Sequence, residues 1–278
     1  MNFDSIPVSF LDITRCTLSA PYLLNETLAL SALHLSITQP HESATYKHQS
    51  VELQTHALSI FNATKLVIDQ DSCVGTFLFL SLLGVHLLCN SLVFRGPTFS
   101  EFLGTLTQCL RLHQGVLAVA GRCWGFIGQT ALAPILNAIE VFTPDIVLGD
   151  QCQKLYRLFQ SADLGPSVTA AIEQDIFKLQ GVMHAVASRP TSHGSAHALV
   201  AWSVVLSYEY VDLLTSHRPE ALVALVYYGA LLHCRRDSWI FGDGGKYIID
   251  SVNHYLGPAW EDALAWPNQI LQETEEPL

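Results

Sequence analysis

The side chains best able to do chemistry here are twelve histidines and seven cysteines, and their spacing is the first thing to read. The cysteines stand at 16, 73, 89, 109, 123, 152 and 234, with no CxxC pair among them. No HExxH run and no ligand-spaced His/Cys cluster occurs, so no metal is expected. An odd number of thiols, several in apolar runs, reads as buried free cysteines in a reducing compartment. A nucleophile elbow of the GxSxG kind is absent. "GDGGKY", Gly242 to Tyr247, resembles a phosphate loop only faintly: it lacks the first glycine of that motif, and Lys246 is followed by Tyr247. His34 and His86 lie within apolar segments, where a hydrogen-bonded core histidine is the ordinary reading. Neither metal nor cofactor is therefore expected.

Charge narrows the partners. Asp and Glu number 25 against 14 Lys and Arg, a net charge of −11, and only 14% of residues are charged. A nucleic-acid binder carries the opposite sign and a basic stripe; Arg235-Arg236 is the only adjacent basic pair. No direct nucleic-acid contact is expected. The opening "MNFDSIPVSF" has an acid at position 4 and no basic stretch, unlike a signal peptide.

The elements that must position any site are helices. In "YKHQSVELQTHALSIF", Tyr46, Leu53, Ala57, Leu58 and Phe61 share one face. Thr98 to Glu101 reads as a capping box, and Pro219-Glu220 suits a first turn. Turn signals at Gln39-Pro40, Gly96-Pro97, Thr143-Pro144, Gly165-Pro166, Arg189-Pro190 and Gly257-Pro258 divide the chain into about ten helices with no strands. The fold class expected is all-α, one domain over residues 1–278. Ser72 to Phe94 holds no Asp, Glu, Lys or Arg, and roughly 20 apolar residues can cross a bilayer. Its Ser, Thr, His and Asn content, between Asp69 and Asp71 on one side and Arg95 on the other, points instead to a core helix, so no membrane span is expected.

Candidate ligand contacts are aromatic. "AWSVVLSYEY" puts Trp202, Leu206 and Tyr210 on one face of a continuous helix. Tyr227 and Tyr228 precede Gly229, which permits close approach of a ligand or another helix. Phe79 and His86 lie seven apart on one face, and Trp239 and Phe241 flank a glycine loop. Gly242, Gly244 and Gly245 in that loop could serve as a gate.

Two segments carry a family resemblance. "PYLLNETLALSALHLSITQP" with "YKHQSVELQTHALSIFN", and "RPEALVALVYYGALLH…DSWIFGDGGKYIIDSVNHYLGPAWEDALAWP", resemble the two ends of the effector domain of fungal zinc-cluster transcription factors of the sterol-uptake-regulator type. The matches include Pro21, Leu23, Leu28, Ala29, His34, His48 and Gln49. The resemblance implies a deep hydrophobic pocket for a sterol, terpenoid or similar molecule, and frequent dimerisation. The family's cysteine-rich DNA-binding module precedes such a domain; this chain begins at Met1 without it and is expected to stand alone. The reading from sequence is then a cyclase of the pericyclic kind, acting on a terpenoid or polyketide by shape and hydrogen bonding, which needs neither nucleophile nor metal. A cytoplasmic location is expected; the alternative is a ligand-sensing effector domain, nuclear if it acts as a regulator.

Overall fold

A computed structural model describes residues 10–64, 69, 72–130, 147–188 and 193–275. Every regular element among them is a helix. In chain order these are α1 (Phe10–Ser19), α2 (Pro21–Thr38), α3 (Ser43–Ala63), α4 (Cys73–Val93), α5 (Phe99–Ala120), α6 (Trp124–Ile127), α7 (Asp150–Ser161), α8 (Pro166–Ser188), α9 (His193–Val205), α10 (Tyr208–Thr215), α11 (Pro219–His233), α12 (Gly244–Leu256) and α13 (Glu261–Glu275), with short 3₁₀ turns between some of them. The all-α expectation is correct.

Local signals set the boundaries. Proline takes the first turn of α2 and of α11, where its missing N–H costs nothing. The capping box before α5 closes as read: the Thr98 N–H donates to Glu101 Oε2 at 3.2 Å, and the Glu101 N–H to Thr98 Oγ1 at 3.3 Å. Gly257 ends α12 at φ 69°, left-handed backbone that favours glycine. The signals at Thr143-Pro144 and Arg189-Pro190 lie outside the described residues.

The chain divides into two compact units, residues 1–87 with 115–137 and residues 88–114 with 138–278, so the boundary passes through α4 and α5. In the first, α2 packs along α3. Its core gathers Leu23, Ala57, Phe77, Phe79, Leu80 and Leu83. In the second, α11 is the central helix: every residue from Ala221 to His233 is buried. That explains a sequence with apolar residues on all sides instead of along one stripe.

Among the described residues, α4 is the one single helix long and apolar enough to cross a membrane, with mean hydropathy 1.9 and 61% of its most apolar 18-residue stretch buried. Most of that stretch thus already has protein around it, as in a core helix.

Candidate functional site

The expected ligand contacts fall in both units. Phe79 and His86 belong to the first; Trp202, Leu206, Tyr210, Tyr227, Tyr228, Trp239 and Phe241 belong to the second. All are buried except Trp239, which is half-buried.

In the first unit, Phe79 stacks on Phe61 at 4.5 Å between ring centroids and meets Tyr22 edge-on at 5.3 Å. His86 has both ring nitrogens engaged: Nδ1 lies 2.9 Å from Glu26 Oε1, and Nε2 lies 3.2 Å from Ser50 Oγ. Glu26, Ser50 and His86 are 0%, 1% and 3% exposed, so this trio is sealed in the core. It has the Glu–His–Ser order of a hydrolase triad, but the proton bookkeeping differs. Ser50 Oγ also lies 2.8 Å from the Ala29 carbonyl, which can only accept, so the hydroxyl proton points there. Ser50 must then accept from His86 Nε2–H, the reverse of what a nucleophile needs. A single proton lies between His86 Nδ1 and Glu26. The trio is a polar staple joining α2, α3 and α4.

In the second unit, the helix expected to run through Trp202, Leu206 and Tyr210 is broken. α9 stops at Val205, α10 starts at Tyr208, and the two are bent by 85°. Asp175 is the cause. Its carboxylate accepts from the Ser207 N–H at 3.0 Å and from the Ser207 hydroxyl, while Lys178 Nζ reaches both Asp175 Oδ1 at 2.8 Å and the Val205 carbonyl at 2.7 Å. Ser207 in turn caps α10 by accepting from the Tyr210 N–H. Burial pushes the Asp175 carboxyl upward, opposed by the charge and hydrogen bonds of Lys178 and Ser207.

Tyr210 reaches Trp202 around this corner instead of along one helical face. Their rings sit 5.9 Å apart edge to face, and Tyr228 stacks on Trp202 at 4.3 Å. The Tyr210 hydroxyl donates to the Ala221 carbonyl at 3.1 Å and the Tyr228 hydroxyl to the Leu199 carbonyl at 2.8 Å. Tyr227 points elsewhere, to Trp266 at 5.0 Å. Beside the stack runs a polar seam: Ser203 Oγ lies 3.1 Å from His113 Nδ1, and Gln114 Nε2 donates to the Leu206 carbonyl at 3.3 Å.

The glycine loop has a packing explanation. Gly244 and Gly245 are buried at the start of α12, not in a free loop. A Cβ on Gly245 would sit 2.4 Å from the Gly229 carbonyl oxygen and 2.5 Å from the His233 nitrogen. One on Gly229 would meet Ile248 Cγ2 at 3.0 Å. What approaches Gly229 is thus another helix. Gly242 alone of the three has positive φ, 47°, and the turn is tied by N–H groups of Phe241 and Gly242 donating to the Ser238 carbonyl. Close helix crossing accounts for Gly244 and Gly245 without any gating motion.

Glu26, Ser50, Gln114 and Asp175 escaped the sequence reading. For the first two a signal existed. Glu26 falls in the stripe Tyr22, Ala29, Leu33, Ser36 of α2, and Ser50 in the stripe Leu53, Ala57, Phe61 of α3. A polar residue in a buried register must find a polar partner.

No group of three or more His, Cys, Asp or Glu among the described residues could hold a metal ion. No family model and no solved structure matches the chain. A protein described as a Zn(2)-C6 fungal-type transcription factor, from Gibberella zeae, is 24% identical to it over 269 residues. The match takes in 90% of this chain but 53% of that protein, so the chain spans about half the length of the curated relative it matches. The described residues are thus all-helical, and the sequence is similar over most of its length to a fungal transcription factor of that class.

Proposed function

We propose that this chain is the effector part of a fungal transcription regulator and that it responds to a small apolar molecule. One observation carries the reading: the similarity to the Zn(2)-C6 fungal-type factor extends over 90% of this chain while leaving nearly half of that factor unmatched. Charge supports the division of labour. At −11, this chain is a poor partner for DNA, so promoter contact falls to another module or another protein. The apolar core and its few placed polar groups suit a terpenoid, sterol or polyketide better than a charged metabolite. Residence in the nucleus or cytoplasm, and pairing into a homodimer, belong to the same proposal. The cyclase reading has no independent observation behind it: the triad-like trio is sealed and its serine proton points away from the histidine.

The test is expression of the full chain in a fungal host, fused to a heterologous DNA-binding module with a matching reporter, beside native mass spectrometry of the purified protein. Reporter output that changes with an apolar metabolite, and a co-purifying molecule released unchanged, are the expected results. A purified chain that converts an added polyene to a cyclic product, with a silent reporter, overturns the proposal in favour of the enzyme.

A further inference from the structure

Residues 196–215 contain neither glycine nor proline, yet their helix breaks at Leu206 and Ser207 and turns through 85°. Sharp breaks ordinarily have a local cause of that kind. This one is imposed by side chains, all within the second unit. In an unbroken helix the Tyr210 N–H donates to the Leu206 carbonyl, the Glu209 N–H to the Val205 carbonyl and the Ser207 N–H to the Ser203 carbonyl. Here the Tyr210 N–H donates to Ser207 Oγ at 3.2 Å, and the Leu206 carbonyl accepts from Gln114 Nε2 at 3.3 Å. The Val205 carbonyl accepts from Lys178 Nζ at 2.7 Å, and the Ser207 N–H donates to Asp175 Oδ2 at 3.0 Å. Side chains from α5, from α8 and from the corner itself thus stand in for bonds that a straight helix makes within its own backbone. Bent and straight forms are matched at these groups. What separates them is packing: Tyr210, Val211 and Leu214 are buried in the bent form.

We propose that the corner between α9 and α10 is a two-state joint: Asp175, Lys178, Gln114 and Ser207 hold it bent, and its release joins residues 196–215 into one helix. The straight form swings α10 away from α11. It parts Tyr210 from Trp202, which stand about 12 Å apart along the axis of one helix, and it takes the Tyr210 hydroxyl from the Ala221 carbonyl. Resting protein is bent, because it has both the apolar burial and satisfied backbone groups. Without the clasp, the Ser207 and Tyr210 N–H groups and the Val205 and Leu206 carbonyls lose their partners in the bent form. That cost is of the same order as the gain from burying three apolar side chains, so the straight form becomes populated. The inference adds a moving part to the effector reading and does not depend on it.

The experiment measures the distance across the corner in the full chain by pulsed electron paramagnetic resonance. Exposed His197 and Ser216 are each replaced by a spin-labelled non-canonical amino acid, which leaves the seven cysteines untouched. At a rise of about 1.5 Å per residue, these positions are about 28 Å apart in one straight helix and about 20 Å apart across the 85° bend. The unsubstituted clasp should give the short distance alone. Gln114→Met with Ser207→Ala frees the Leu206 carbonyl and the Tyr210 N–H, which are partners in a continuous helix, and should add a population at the long distance. Adding Asp175→Leu and Lys178→Met, which removes both charges together, should make the long distance the major one. Circular dichroism and thermal melts check folding, and the two-substitution variant decides if the four-substitution variant does not fold. A folded variant that keeps only the short distance overturns the inference, since the bend then needs no clasp. A broad, featureless distribution in folded variants overturns it too, because α10 then frays instead of joining α9. So does a long distance with the clasp intact.

Discussion

Gly245→Ala tests whether the glycines before "KYIID" pack or gate. In the structure the new Cβ lies 2.4 Å from the Gly229 carbonyl oxygen, 2.5 Å from the His233 nitrogen and 2.9 Å from its Cα. All three are backbone atoms of α11, and none can swing aside as a side chain could. Restoring ordinary contact requires α12 to retreat from α11 by about 1 Å, with loss of the interdigitation around Ile248, so the cost is about 3 kcal/mol, at the upper end of overpacking. Helix propensity returns up to about 1 kcal/mol of that for Ala over Gly. A thermal melt should fall by roughly 5–10 °C. Gly104→Ala and Gly115→Ala are the controls. Both sit inside α5, and beyond the adjoining residues and backbone of that helix no atom comes within 4 Å of the new Cβ, so both should hold or raise stability by about 0.5–1 kcal/mol. The reasoning is refuted if Gly245→Ala melts with the controls. If it melts with wild type yet slows ligand exchange, the loop is a gate after all.

The polar staple and the thiols give further tests. Glu26→Ala strands His86 Nδ1 in the core and should cost about 3–5 kcal/mol, against about 1–3 kcal/mol for Ser50→Ala. Urea unfolding reads both, and a loss for Glu26→Ala no larger than for exposed Glu52→Ala rejects the staple. Burial pushes the thiols of Cys89, Cys109 and Cys152 up to about 12. At pH 8 their thiolate fraction is about one in ten thousand, so in native protein these three should resist alkylation while half-buried Cys16 and Cys234 react first. The same shifts fix a sign: unfolded thiols ionise near pH 8.5 while these stay protonated, so their contribution is intact below that pH and is lost as pH rises toward about 12. A melting temperature that climbs between pH 9 and 11 contradicts this.

The sequence by itself determined the class of the fold. Apolar residues at helical spacing, a capping box, and prolines at first turns are local statements, and each depends on backbone geometry within a few residues. That is why the start of α5 and the starts of α2 and α11 stand where the residues place them. It also marked which side chains would be buried: Phe79, Trp202, Tyr210, Tyr227, Tyr228 and Phe241 are all in cores. What each of them faces was decided by tertiary structure alone. Trp202 and Tyr210 meet around a bend that Asp175 imposes from another helix, a contact no periodicity within residues 202–210 encodes. Gly245 reads in the chain as part of a possible gate loop, yet it meets Gly229 where two helices touch. Glu26, Ser50 and His86 are ordinary residues until three helices bring their polar atoms within hydrogen-bond reach. Burial follows from composition and period, whereas pairing follows from which element packs against which, and that is settled only when the whole core closes.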